Sequence, residues 1–236
     1  MTCFVTLDNL YVVGVVISFM LDEQIIKILK KEYPEAKIAL KFKNTWQLLV
    51  ATILSAQCTD VRVNKVTPIL FKKYKSISDF AKANFREFEK DIHSTGFYKN
   101  KAKSIICSAK KILSEFNGKV PNTMEGLTGL PGIGRKTANV ILSSGFGIVV
   151  GIVVDTHVIR LSGRMGLTEN KAPEKIEEDL MKIVHRKDWR VFSQLFILHG
   201  RKICNARKPL CSDCVIDKIC PSAFVGGGFK PPPTVN

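Results

Sequence analysis

The sequence predicts an all-α protein, and three observations support this fold class. Apolar residues recur at helical spacing over long stretches, most clearly in residues 100–118. In that stretch Asn100 can cap the helix and Gly118 can end it. Only residues 146–156 read as a strand, and this apolar run fits a buried loop between helices equally well.

Residues that favour helix starts precede the other helical stretches in order along the chain. Thr45 can cap the helix that begins WQLLV, and Asn84 with Glu87 resembles a capping box before FREFEKDI. Pro173 suits the first turn of the helix EKIEEDLMKIVHRK, whose apolar residues form one stripe. Such stripes predict core packing and no chemistry of their own.

The charge balance is strongly basic. The chain has 36 Lys and Arg against 21 Asp and Glu, a net charge of +15, and a pI near 9.6. This excess predicts a polyanionic partner, nucleic acid first and an anionic membrane second. A generally basic proteome is the alternative explanation.

The two ends of the chain differ from its middle. The hydrophobic run Leu10–Leu21 is shorter than the roughly 20 residues of a spanning helix, and no basic residues precede it as in a signal peptide. We therefore expect a cytoplasmic protein without a membrane partner. Residues 1–20 read as an extension of doubtful authenticity, with Met20 as a candidate true start, and the Gly- and Pro-rich tail 225–236 is predicted to be disordered.

Four of the seven cysteines form the strongest local signal in the chain. They are Cys204, Cys211, Cys214 and Cys220. Cysteines this close in sequence can bind one metal centre, and both zinc and an iron–sulfur cluster accept four thiolates. The spacing does not separate the two, although only one C-x2-C pair is present. The loop between the first two ligands offers Arg207 and Lys208 to phosphates, or these cations balance an anionic cluster.

The stretch LPGIGRKTANVIL contains a turn with Gly132 and Gly134, followed by a predicted helix. A short helix is predicted before the turn, in NTMEGLTG. Asn122 or Thr123 can cap the short helix before the turn. The spacing matches neither a Walker loop nor a dinucleotide fingerprint. A helix–hairpin–helix can bind one duplex phosphate through backbone N–H groups without reading bases. A simple turn between helices is the alternative.

Two further residues have both a chemical and a structural interpretation. Lys136 lies in the first turn of the second helix, where the helix dipole, and any partial burial, favour the neutral amine that acts as a nucleophile. A surface lysine that contacts phosphate is the alternative. Asp155 is placed as the N-cap of the helix THVIRLSGRM and needs no catalytic role on that ground.

Taken together, these segments resemble the endonuclease III family of DNA glycosylase/AP lyases, within the helix-hairpin-helix superfamily, over about residues 21–224. The resemblance is carried by LLVATILSAQCTDVRVNK, TGFYKNKA, LPGIGRKTANVIL, VDTHVIRL and the cysteine array. It implies that Lys136 is the Schiff-base lysine and Asp155 the essential aspartate. It also implies that the four cysteines bind a [4Fe-4S] cluster.

The resemblance implies a two-domain fold. A six-helix domain with the hairpin would span 38–148, and a cluster domain would combine 21–37 with 149–224. Lys136 and Asp155 would then face each other across the cleft between the domains.

The implied function is base-excision repair by a bifunctional DNA N-glycosylase with AP lyase activity. Its partner would be double-stranded DNA with oxidised pyrimidines, such as thymine glycol, or abasic sites, and it would act as a monomer at a prokaryotic nucleoid. Gln57 would fill the gap left by the flipped base and Phe97, where the family commonly has leucine, would wedge beside it. Lys99, Lys101 and Lys103 would face the duplex or solvent. The implied DNA contacts are Gln57, Phe97, Gly132, Gly134, Arg135, His157, Arg207 and Lys208.

Two alternatives belong to other functional classes. A monofunctional mismatch glycosylase for adenine or thymine would typically lack a lysine at position 136. A non-catalytic DNA-binding module stabilised by its metal would need neither Lys136 nor Asp155.

Overall fold

The computed structural model describes residues 23–223. The extension 1–20 and the tail 225–236, for which the sequence makes predictions, lie outside these residues. Within 23–223 the protein is all-α, as predicted, and contains no strand. None of the helices in this range is long and apolar enough to cross a bilayer.

The helices follow one another with short connections. Their bounds are α1 (23–32), α2 (Thr45–Ser55), α3 (Asp60–Lys73), α4 (Ile77–Ala81), α5 (Phe85–Ile92), α6 (Tyr98–Glu115), α7 (Met124–Thr128), α8 (Arg135–Ile141), α9 (Thr156–Arg164), α10 (Pro173–Ile183) and α11 (Trp189–Lys202). A π-helix, Leu142–Phe146, extends α8, and short 3-10 helices occur at His93–Thr95, Arg186–Asp188, Cys211–Asp213 and Asp217–Ile219.

The chain divides into two compact units. The hairpin unit is Ile38–Val150, and the cysteine unit comprises the described residues up to Lys37 and those from Gly151 onward. Each unit has its own buried core.

Helix α2 lies at the centre of the hairpin unit. Its residues from Leu48 to Ala51 are fully buried, because an almost wholly apolar helix must be enclosed on all sides. The predicted cap at Thr45 is wrong by one residue: Asn44 caps α2, and its Oδ1 accepts a hydrogen bond from the Gln47 N–H at 2.9 Å. The predicted cap of α5 at Asn84 is confirmed.

Helix α6 is the longest in the described part of the chain. It begins at Tyr98, so Asn100 lies inside it and the predicted cap there is wrong. The reason is the left-handed residue Phe97, whose φ of +46° ends the preceding turn and leads directly into the helix. The predicted stop is confirmed, because Gly118 has a φ of +73° and its N–H donates to the Ile112 carbonyl at 3.0 Å.

The cysteine unit packs α1, α9, α10 and α11 around one core. Pro173 opens α10 as predicted, and the stripe residues Ile176 and Leu180 are fully buried. The strand interpretation of 146–156 is wrong. Ile152 to Val154 are buried but belong to no helix, and no strand is present within 23–223.

Candidate functional site

The glycine turn lies between two short helices of the hairpin unit, as predicted. Thr123 caps α7, and its Oγ1 accepts a hydrogen bond from the Gly126 N–H at 3.1 Å. Gly132 has a φ of +78°, a backbone conformation that glycine adopts without steric cost. Gly134 is the N-cap of α8 and carries no side chain that could occupy the amide groups of the first turn.

Helix α6 packs against this hairpin and makes hydrogen bonds to it. A Cβ added to Gly132 would lie 2.5 Å from the Ser104 Oγ, so the turn and the helix approach as closely as glycine allows. One helical turn further along α6, the Ser108 Oγ donates a hydrogen bond of 3.1 Å to the Pro131 carbonyl. Lys111 Nζ donates to the Gly129 carbonyl, also at 3.1 Å.

Lys136 is the second residue of α8, and its side chain is exposed. The partial burial considered from the sequence is therefore absent. The neighbouring Arg135 is exposed as well. Both side chains are reachable from solvent beside the hairpin.

Three of the predicted DNA contacts line one cavity of about 200 Å³ in the hairpin unit. They are Gln57, Phe97 and Gly132. The Phe97 side chain is 64% exposed, which is unusual for an aromatic ring of this size and suits a group that inserts into another molecule. Gln57 has a φ of +51°, so both it and Phe97 are non-glycine residues with positive φ.

The three lysines at the start of α6 differ in exposure. Lys99 and Lys103 are exposed, but Lys101 is only 4% exposed. The prediction that Lys101 faces the duplex or solvent is therefore wrong. Its Nζ donates instead to the carbonyls of Leu54 and Thr95, each at 2.8 Å.

Asp155 caps α9 in the cysteine unit, as predicted. Its Oδ1 accepts hydrogen bonds from the N–H groups of His157 and Val158, each at 2.9 Å. Both bonds use Oδ1, so the cap does not need the second carboxylate oxygen. Asp155 is half-buried.

His157 lies in the first turn of α9 and is half-buried. Burial lowers its pKa most; Arg160 and Arg201 lower it further, whereas Asp155 raises it. The Arg160 Nη2 lies 3.1 Å from the His157 Nδ1. Because a guanidinium only donates, this contact is a hydrogen bond only in the tautomer that leaves Nε2 protonated.

The four cysteines of the array follow α11 and line one cavity of the cysteine unit, and no disulfide joins any cysteine within the described range. Zinc bound by four thiolates needs sulfur atoms roughly 3.8 Å apart, given Zn–S distances of about 2.3 Å. In residues 23–223 no group of three or more His, Cys, Asp and Glu side chains is arranged to hold a single ion.

Two arginines of α9 hold the loop after Cys204. Arg160 donates to the Cys204 carbonyl through Nε at 3.2 Å and Nη2 at 3.0 Å. Arg164 donates to the Cys204 Sγ at 3.2 Å and to the carbonyls of Asn205 and Ala206 at 2.8 Å. The side chains of Arg207 and Lys208, further along this loop, are exposed.

Comparison with known proteins decides the family. Residues 50–186 match the family described as HhH-GPD superfamily base excision DNA repair protein. Endonuclease III of Synechocystis sp. is 55% identical over 200 residues, which cover 85% of this chain and 91% of that protein. Endonuclease III of Bacillus subtilis is 43% identical over 189 residues, 80% of this chain and 86% of that protein. The chain belongs to the endonuclease III family. It is a base-excision DNA repair enzyme of the DNA glycosylase/AP lyase class.

Solved structures of endonuclease III share the fold. A trapped endonuclease III–DNA covalent intermediate aligns with a TM-score of 0.82 at 39% identity, over 86% of this chain and 95% of that chain. A non-covalent endonuclease III–DNA complex aligns with a TM-score of 0.79 at 41% identity, over 86% of this chain and 93% of that chain. The helix-hairpin-helix glycosylase fold predicted from the sequence is confirmed.

Three residues around the cysteine array of this endonuclease III family member were not predicted from the sequence. Arg160 and Arg164 were missed, although their spacing of four residues places them on one face of α9. His199 was also missed. It is fully buried, its Nε2 lies 3.4 Å from the Cys214 Sγ, and its Nδ1 lies 3.0 Å from the Tyr33 hydroxyl.

Proposed function

We propose that this enzyme is a bifunctional DNA N-glycosylase that removes oxidised pyrimidines, such as thymine glycol, and then cleaves the abasic strand through a Schiff base on Lys136. The observation that carries the proposal is the exposed amine of Lys136 in the first turn after the hairpin. A lysine at this position can reach a sugar whose phosphate the hairpin binds.

The first chemical step joins the enzyme to the sugar. The damaged base must leave the helical stack before its C1′ can be attacked, so the nucleotide is flipped out. The neutral amine of Lys136 then attacks C1′, the C1′–N bond to the base breaks, and the base departs with the bonding electron pair. The sugar ring then opens as the C1′–O4′ bond breaks and O4′ takes up a proton, which gives an iminium between Nζ and C1′.

Asp155 is the acid–base partner in this proposal. Its carboxylate takes up the proton that the attacking amine of Lys136 loses, or stabilises positive charge that develops on the sugar. The structure supports this assignment because the cap of α9 uses Oδ1 alone. One carboxylate can therefore hold the helix and act on the substrate.

The second step breaks the strand. The iminium makes the C2′ proton acidic, and its removal expels the 3′ phosphate by β-elimination. Water then hydrolyses the Schiff base, which releases the unsaturated sugar fragment and regenerates the amine of Lys136.

The hairpin unit would bind the distorted duplex. In this proposal the backbone N–H groups around Gly132 and Gly134 hold a phosphate of the damaged strand, with Arg135 beside them. Gln57 fills the space of the flipped nucleotide and Phe97 inserts next to it. Their common cavity and the exposure of Phe97 support these roles.

The cysteine unit would add further backbone contacts. The lowered pKa of His157 keeps its ring neutral at neutral pH, so its contribution would be an Nε2–H bond to phosphate and not a charge. Arg207 and Lys208 would bind phosphate from their loop as charged groups. Their exposure supports this role.

The cysteine array fits a [4Fe-4S] cluster, and we propose Cys204, Cys211, Cys214 and Cys220 as its ligands. All four line one cavity, and four thiolates are a ligand set that such a cluster accepts. A bound cluster supplies a cross-link between segments that share little regular secondary structure. We further propose that the enzyme acts as a monomer on the nucleoid in the cytoplasm.

Borohydride trapping tests the central proposal. A duplex with thymine glycol or an abasic site, incubated with enzyme and borohydride, should yield a covalent protein–DNA complex that Lys136→Ala abolishes. Lys110→Ala, which removes an exposed lysine from α6, is the matched control and should trap like wild type.

Each alternative predicts a different result. A monofunctional glycosylase would release the base without a trapped complex, and a non-catalytic module would bind the duplex and do neither. Trapping by Lys136→Ala at the wild-type level would refute the assignment of the nucleophile.

A further inference from the structure

Lys101 is the buried lysine of the hairpin unit that the proposed mechanism does not use. Its ammonium makes two hydrogen bonds of 2.8 Å, to the Leu54 carbonyl and to the Thr95 carbonyl. Burial lowers its pKa, an effect opposed by the nearby Cys58. A lysine is rarely buried unless its charge has a partner, and here the partners are backbone oxygens.

The two carbonyls lie at the C-terminal ends of two different helical segments. Leu54 is in the last turn of α2, and Thr95 ends the 3-10 helix that follows α5. Carbonyl groups at such ends carry the negative part of the helix dipole, so two helix ends converge on one ammonium.

A non-glycine residue with positive φ follows each bonded carbonyl within three residues. Gln57 follows Leu54 by three residues, with a φ of +51°, and Phe97 follows Thr95 by two, with a φ of +46°. Neither residue is a glycine, so both conformations are strained and persist only where the surroundings enforce them. Both side chains line the cavity that Lys101 also lines.

We propose that Lys101 is a positioning residue that locks the turns of Gln57 and Phe97 together, so that both side chains are set to replace a flipped nucleotide before DNA binds. The inference rests on the proposed roles of Gln57 and Phe97. One cation between two helix ends fixes the spacing of two side chains from segments far apart in sequence. A rigid pair loses less entropy on insertion than two mobile loops would.

Comparison of two substrates tests this inference. In one duplex the damaged base is paired, and in the other it lies opposite a one-nucleotide gap, where there is less stacking to replace. Lys101→Met retains most of the apolar stem but makes neither bond. We expect single-turnover excision by Lys101→Met to fall about tenfold or more on the paired substrate and less than about twofold on the gapped one. Lys110→Met, in the same helix but exposed, should match wild type on both.

The outcomes separate this inference from the proposed function. Failure of the wild type to excise the base or to be trapped would count against the proposed function. With an active wild type, an equal defect on both substrates, or none on either, would overturn the role of Lys101. If Lys101→Met does not fold, Lys101→Gln takes its place, because the shorter side chain keeps a donor but cannot reach both carbonyls.

A second measurement does not depend on activity. Hydrogen exchange of residues 55–59 and 95–98 should be about tenfold faster in Lys101→Gln than in wild type, while the hairpin 129–134 exchanges at its usual rate. Unchanged exchange in both segments would contradict the inference.

Discussion

Asp155 caps α9 and, in the proposed mechanism, also acts on the substrate. Its Oδ1 binds two amide groups at the start of α9, which holds the carboxylate in a fixed orientation. A carboxylate that takes up a proton from an attacking amine, or stabilises charge on a bound sugar, benefits from such an orientation. The capping interpretation and the catalytic proposal are therefore compatible.

Substitutions at Asp155 should separate the two roles. Asparagine caps helices as well as aspartate, so we expect Asp155→Asn to keep the free energy of unfolding within about 0.5 kcal/mol of wild type. It cannot accept a proton, and single-turnover excision should fall by roughly 10²–10⁴. Asp155→Ala should lose a similar amount of activity and about 1 kcal/mol of stability as well.

Urea unfolding and single-turnover kinetics of the two variants provide the measurements. Full activity of Asp155→Asn would restrict Asp155 to its structural role. Equal stability of the two variants would show that the cap contributes nothing measurable.

Lys101 illustrates what the sequence could not reveal about single residues. Lys101 lies among other lysines of α6. The Leu54 carbonyl to which its Nζ donates belongs to a residue 47 positions earlier in the chain. Periodicity describes the face of one helix but not which distant carbonyl meets it. The candidates Cys204 to Cys220 and Lys136 could be singled out because their sequence signals are local.

At the scale of elements, the hairpin depends on one glycine more than on the other. Gly132 has a positive φ and lies against Ser104, whereas the Cβ position of Gly134 is open and its φ is −89°. The two residues look alike in the sequence but have different structural requirements.

We expect Gly132→Ala to destabilise the protein by about 1–3 kcal/mol, because the left-handed conformation and the clash with Ser104 add together. Gly134→Ala, the matched control, should cost less than about 1 kcal/mol, since it changes only the N-cap. Thermal unfolding measures both. Equal losses would mean that the turn relaxes around the new Cβ.

Helices were predictable from the sequence where apolar spacing was regular, but their starts were less so. The start of α6 was misplaced because the αL residue Phe97 has no sequence signal, whereas asparagine or glycine would have provided one. The segment from Ile152 to Val154 was ambiguous because burial alone makes a run apolar, whether or not it pairs with a strand.

At the scale of the whole molecule, the charge of +15 predicts strong dependence of duplex binding on salt. If Arg207 and Lys208 each contact a phosphate, replacing both with alanine should reduce the slope of log affinity against log salt by about 2. Binding to undamaged duplex, followed by fluorescence anisotropy at several salt concentrations, measures this slope.

A control variant separates phosphate contacts from net charge. Lys171→Ala with Lys187→Ala removes the same charge from exposed positions of the cysteine unit and should leave the slope almost unchanged. Equal changes in the two double variants would indicate a general field effect and no contact from the loop.

The core of the hairpin unit and the segment that follows α11 differ in how they are held in place. The hairpin unit has a large aromatic core. The ring centroid of Phe80 lies 5.2 Å from that of Trp46 and 5.3 Å from that of Tyr74. Between Cys204 and residue 223 the described chain forms two short 3-10 helices, and Arg160 and Arg164 hold the start of this segment.

Arg160 and Arg164 bind the loop after Cys204 mainly through its backbone carbonyls, so the side chains of this loop can change during evolution. The two guanidinium groups bind the carbonyl oxygens of residues 204–206 and, apart from the Cys204 Sγ, no side chain of that stretch. Every amino acid carries the same carbonyl, so these contacts do not depend on the side chain at position 205 or 206. The loop can therefore acquire new side chains, and with them new affinities, while its shape is inherited from α9.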